Sequence, residues 1–115
     1  MKTKTLFLAV VFLFLGGLFG CEKEYTDVAG LWDTSWGMMT LTQSASGDVT
    51  GTYDYDSGAI QGKLTGTTLS GTWTETNSQG TFVFEFNPQF TTFDGVWGYD
   101  NETPTHDDWF GTRVE

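Results

Sequence analysis

A disulfide framework is excluded at once: the chain has a single cysteine, Cys21, with nothing to pair to. Proline is scarce, with two residues, and histidine is reduced to His106. Basic side chains are few as well. Five Lys and Arg stand against fifteen Asp and Glu, for a formal net charge of −10. All the acidic residues follow Cys21, and only Lys23, Lys63 and Arg113 oppose them there. That balance argues against nucleic acid as a partner, because its phosphates would be repelled. No segment after Cys21 has a helical hydrophobic period. Without crosslinks, that part of the chain must be stabilised by a packed core.

The same scarcities leave little for catalysis. His106 sits in an acidic loop, and a general base needs a positioned partner. With Asp107 and Asp108 it resembles a fragment of a metal site, but zinc takes three or four ligands. Asp54 to Gly58 echoes the start of a calcium loop without its distal Glu, and Asp56-Ser57-Gly58 is better explained as a hairpin turn. The expectation is a non-enzyme with no metal and no cofactor.

What is present begins with an export signal. Lys2 and Lys4 precede an apolar run from Leu6 to Leu15, then Gly16-Gly-Leu-Phe-Gly20 and Cys21. This layout is too short and wrongly flanked for a membrane span. Residues 1–20 are expected to be a signal peptide, 21–29 a tether and 30–115 the folded domain.

One short pattern then recurs. Val28-Ala-Gly-Leu-Trp32, Val49-Thr-Gly-Thr-Tyr53, Ile60-Gln-Gly-Lys-Leu64, Leu69-Ser-Gly-Thr-Trp73 and Phe93-Asp-Gly-Val-Trp97 each place Gly midway between large apolar residues. Trp109-Phe-Gly-Thr-Arg113 follows it imperfectly. On a strand, alternate residues share a face, so the bulky groups and the glycine point inward together while Thr and Ser point outward. A bare Cα on the inner face makes room where a sheet coils tightly.

Strands are predicted at 30–36, 38–43, 48–55, 59–65, 68–75, 80–87, 91–98 and 107–114, separated by turn residues. The predicted fold class is all-β: an eight-stranded antiparallel up-and-down β-barrel, closed so that no sheet edge is exposed. A two-sheet sandwich is the alternative.

Two stretches resemble known families. Leu18-Phe19-Gly20-Cys21 resembles a bacterial lipobox. The resemblance implies cleavage before Cys21, lipid on its thiol and acyl chains (palmitate among them) anchoring the chain to a membrane. A plain signal peptide with a stray Cys is the other reading. Glu22-Lys23-Glu24 behind it resembles the export signals of Bacteroidetes-type lipoproteins, which implies the outer membrane of a Gram-negative cell, with surface exposure an open question.

Gly30-Leu-Trp32 with Arg113 resembles the calycin signature of lipocalins, fatty-acid-binding proteins and avidins. It implies that the Trp32 indole lies beneath the Arg113 guanidinium and closes one barrel end, as a cation–π pair. Size and Gly51-Thr-Tyr53 resemble avidins. Thr34, Met38 and Tyr55 stand where that family's ligand residues would fall, so the likeness implies the barrel and not a biotin site.

In a meander, Trp32 and Arg113 fall at the closed floor, and the loops 36–38, 55–59, 75–80 and 98–107 form the mouth. The ligand-binding candidates there are Trp36, Tyr55, Trp73, Glu75, Trp97, Tyr99 and Trp109, with Met39, Ile60, Phe82 and Asp107 also expected to point inward. Aromatic walls with sparse carboxylates suit a small hydrophobic or carbohydrate ligand. Eight strands also give a tube that its own side chains can fill. Glu75 either orients a ligand or is a strand-end residue turned to solvent. Three functions remain open: a binding module for an apolar or ring-bearing ligand, a protein-interaction or protease-inhibitor-like module, and a structural envelope component.

Overall fold

The structure is a computed structural model and describes residues 24–115. The segment expected to be a signal peptide, and Cys21, lie outside the described residues. Eight strands follow in chain order: β1 Gly30–Thr34, β2 Gly37–Gln43, β3 Asp48–Tyr53, β4 Gly58–Thr65, β5 Thr68–Thr74, β6 Gln79–Phe86, β7 Thr92–Tyr99 and β8 His106–Arg113. Each pairs antiparallel with its sequence neighbour, and β8 closes on β1 through Trp32↔Arg113, Asp33↔Thr112 and Thr34↔Gly111. The result is a closed all-β barrel and not a sandwich. Its topology is compatible with a calycin-like small barrel.

The inner face carries the predicted alternation. Val49, Tyr53, Ile60, Leu69, Trp73 and Phe93 are buried, while Thr50, Thr52, Ser70, Thr72 and Thr74 are exposed. The inner glycines are needed for space. Gly62 pairs with Gly71 across β4 and β5, and a Cβ on Gly71 would stand 2.0 Å from the Gln61 carbonyl oxygen. A Cβ on Gly95 would meet the Phe84 ring at 2.5 Å, and one on Gly111 the Phe93 ring at 2.4 Å. Strand backbones thus approach closely on one side of the barrel, and large rings fill the space over bare positions on the other.

Those rings occupy the lower and central barrel. Phe84 stacks on Phe93 at 4.3 Å between centroids, Trp109 meets Phe84 at 4.9 Å, and Trp32 sits edge-on to Phe86 at 5.2 Å. Edge-to-face and offset pairs of this kind add to the area term of burial. This part of the barrel is solid, as its width allows.

The floor is built around Arg113, whose side chain is only 3% exposed. Its Cζ lies 5.2 Å from the Trp32 ring centroid and 3.7 Å from that of Tyr25. Nη1 donates to the carbonyls of Asp27 at 2.7 Å and Phe90 at 3.2 Å, and Nη2 donates to that of Ala29. Trp32 Nε1 donates to the Val28 carbonyl at 2.9 Å, and Val28 is fully buried. The segment just before β1 is therefore laid across the floor and held there. Burial pulls the Arg113 pKa down, while neighbouring Tyr25 and Asp27 oppose the shift.

Several strand ends differ from expectation. β1 stops at Thr34, and Trp36 lies in the turn to β2, where the Thr34 hydroxyl donates to Gly37 O and accepts from Trp36 N. β3 stops at Tyr53, and Tyr55 begins a short 3-10 turn, Tyr55–Ser57. Asp56 and Ser57 there have φ of 51° and 54°, a left-handed bend that short polar residues tolerate. β5 ends at Thr74, one residue before Glu75.

Candidate functional site

The open end holds a cleft of about 160 Å³. It is lined by Trp36, Tyr55, Trp73, Glu75, Trp97, Tyr99 and Trp109, together with Asp56 and Ser78. All seven sequence candidates therefore converge on one space. Trp73 and Trp109 are buried at its base, Trp36 and Trp97 are half-buried walls, and Tyr55 and Tyr99 form an exposed rim.

The wall rings stand edge to face. Trp36 and Trp97 are 6.0 Å apart at 90°, Trp73 and Trp97 5.7 Å apart at 89°, and Trp36 and Tyr55 4.8 Å apart at 66°. Trp73 Nε1 donates to Gly98 O at 3.1 Å, and Trp97 Nε1 to Asp108 Oδ1 at 2.7 Å. The indole nitrogens of Trp36 and Trp109 are buried with no hydrogen-bond partner. Buried donors without a partner are rare, because each carries a desolvation cost.

Glu75 is half-buried and turned into the mouth. Its Oε2 accepts from the Tyr53 hydroxyl at 2.7 Å. The Tyr53 pKa is pushed far above its ordinary value, first by burial and then by the hydrogen bond to Glu75, with the charges of Glu75 and Asp56 adding to it. Tyr53 therefore stays a donor across the neutral range and fixes the carboxylate. Glu75 is thus half-buried and bonded to Tyr53, with part of its surface still open to solvent.

The mouth loops brace one another. Met38 N donates to Asp54 Oδ2, Tyr55 N to Trp36 O, Thr76 N to Asp56 O and Asp100 N to Gln79 O. The Ser35 hydroxyl donates to Asp108 O and accepts from Phe110 N. The cleft is therefore held by contacts within the scaffold.

Asp107 departs from expectation. It was expected inward by alternation from Trp109, but it is exposed. The register explains this: Gly95 pairs with Trp109 and Trp97 with His106, so β8 places Asp107 and Asp108 opposite Val96 alone. This β-bulge shifts the facing of the strand by one residue. His106 takes the wall-side position and stacks on Trp97 at 4.3 Å and 21°. Sequence reasoning placed His106 in a solvated loop and missed both this stack and the Asp108 bond to Trp97. The only available signal was the run of consecutive polar residues before Trp109.

No group of His, Cys, Asp and Glu among the described residues is arranged to hold a metal ion. No described helix is long and apolar enough to cross a membrane. Comparison with family models, with curated proteins and with solved structures finds no match to this chain.

Proposed function

We propose that this chain is a lipid-anchored envelope protein whose small barrel binds one apolar or ring-bearing molecule at its mouth. The observation that carries the reading is the cleft itself: about 160 Å³ and walled by indoles. An apolar cavity of about 150 Å³ is enough for a benzene-sized guest. A cleft this small suits a single ring and excludes a long acyl chain lying inside the barrel, because the rest of the interior is filled. A single sugar ring and a single aromatic ring both suit walls of this kind.

Anchoring at Cys21 fits the floor geometry. Residues 25–29 are tied to the floor, and only residues 22–24 separate them from the acylated cysteine. The mouth would then face away from the membrane. Cys21→Ser should release the protein from the membrane fraction while leaving the barrel folded.

The binding reading is tested by titrating the purified full chain, in a non-ionic detergent without rings, with benzyl alcohol and with glucose. Saturable change in tryptophan emission by either, lost in Trp36→Leu, supports it. No response to either compound refutes it.

A further inference from the structure

The cleft contains a charge that nothing in the barrel neutralises. Glu75 sits half-buried among indoles, and its side-chain partners are two uncharged hydroxyls, that of Tyr53 at 2.7 Å and that of Ser78 at 3.5 Å. Around the same mouth stand Asp54, Asp56, Asp100, Asp107 and Asp108. The ion pairs among the described residues, Lys63–Asp48 and Arg113–Asp27, both lie at the opposite end. The other lysines of the chain, Lys2, Lys4 and Lys23, precede the described residues. A carboxylate withdrawn from water favours a nearby cation far more strongly than an exposed one does.

The walls point the same way. Trp97 is perpendicular to Trp36 and to Trp73, and Tyr99 stands at 84° to Trp97. Perpendicular rings make a corner for a compact group and not a pair of plates for a flat one. The ring face is the negative side of the quadrupole, so several indole and phenol walls around one carboxylate form a cage for an organic cation. An anionic guest would face that carboxylate, the ring faces and the acidic rim at once.

Resting on the binding reading above, we infer that the guest is an organic ammonium ion, held by the Trp36, Trp73 and Trp97 walls with Glu75 as its counter-charge. A small free amine and the side chain of a lysine share this chemistry.

The test uses three probes of one size and different charge: benzylammonium, benzyl alcohol and benzoate. Each is titrated into the purified full chain at pH 7 and followed by tryptophan emission. Benzylammonium should bind about tenfold tighter than benzyl alcohol, and benzoate should not bind. Glu75→Gln keeps an oxygen for the Tyr53 hydroxyl and should abolish the preference, bringing benzylammonium down to the affinity that the same variant has for benzyl alcohol. Added salt should weaken benzylammonium alone. Nα-acetyl-lysine amide distinguishes the sources: binding comparable to benzylammonium places the ammonium on a peptide, weaker binding places it on a free amine, and the inference holds in both cases. Equal or tighter binding of benzyl alcohol overturns the cation assignment and leaves the ring-binding site standing. Silence from all the probes overturns the site itself.

Discussion

Gly71→Ala is the substitution that most directly questions why the barrel closes. Gly71 faces inward on β5 opposite Gly62 on β4. The added Cβ would lie 2.0 Å from Gln61 O, 2.5 Å from Gly62 Cα and 2.8 Å from Gln61 C, where ordinary contact begins at 3.4 Å. All three obstacles are backbone, so no rotamer change relieves them. The β4–β5 ladder runs for seven pairs, from Ala59↔Thr74 to Thr65↔Thr68, and each strand is also bonded on its far side. A closed barrel has no free edge to absorb the shift. Overpacking of this kind costs about 1–3 kcal/mol and sometimes more, against a total stability of about 5–15 kcal/mol. The buried methyl returns less than about 1 kcal/mol. With three backbone obstacles the cost lies at the top of that range, and net of the return the expected loss is about 2 kcal/mol. With a urea m-value of about 1–3 kcal/mol/M, the unfolding midpoint should fall by about 1 M. Gly98→Ala is the control: its Cβ would meet its nearest atoms at 3.2 and 3.3 Å, on the loop around Pro104, and should cost less than about 1 kcal/mol. Equal midpoints for Gly71→Ala and wild type, or equal loss in both variants, would refute the close-approach explanation.

Other positions give independent checks. Tyr53→Phe removes the shorter of the two hydroxyl bonds to Glu75 and should cost about 1–2 kcal/mol in urea unfolding. The raised Tyr53 pKa means that its contribution is intact below pH 10 and lost as the solution becomes more alkaline, so the melting temperature of Tyr53→Phe should fall less steeply between pH 9 and about 11. Arg113→Met removes the donors to the carbonyls of Asp27, Ala29 and Phe90 and should cost about 3 kcal/mol, with faster hydrogen exchange at Leu31 and Val114. Asn87→Ala strips the side chain that accepts from Thr91 N and Thr92 N and should cost about 1–2 kcal/mol without changing the mouth indoles. The Glu85 carboxylate, lowered in pKa by hydrogen bonds from the Thr67 and Thr68 hydroxyls, supports the fold above its ordinary value of 4.5 and loses that effect as pH falls through the lowered one; Glu85→Gln should flatten this acid limb.

The strand count and inner face were legible because the Gly-centred pattern has a period of two and six of the eight strands, all but β2 and β6, carry it. The floor was legible from Gly30, Trp32 and Arg113 together, and Val28, the first bulky residue of that copy of the pattern, is buried with them although it lies in the segment expected as tether. The mouth candidates followed from alternation wherever alternation continued to the strand end. It failed at β8, because a bulge inserts a residue without changing composition, and Asp107 and His106 exchanged roles. It also ran too far at Trp36 and Tyr55, where local hydrogen bonds from Thr34 and a left-handed bend at Asp56 ended the strands early. Both side chains still reached the cleft, since a turn at the mouth leaves little other place for a large ring. The bond from Tyr53 to Glu75 could not be read from a pattern, because it joins residues twenty-two apart across the barrel.

The most direct test of a ring-lined cleft at the end opposite the Trp32–Arg113 floor is the ¹H–¹⁵N spectrum of the five indole N–H groups during titration with benzylammonium. The account predicts saturable shifts for Trp36, Trp73, Trp97 and Trp109 with one shared dissociation constant, while the Trp32 resonance stays in place. A Trp32 shift equal to the others, or five resonances that never move, would contradict it.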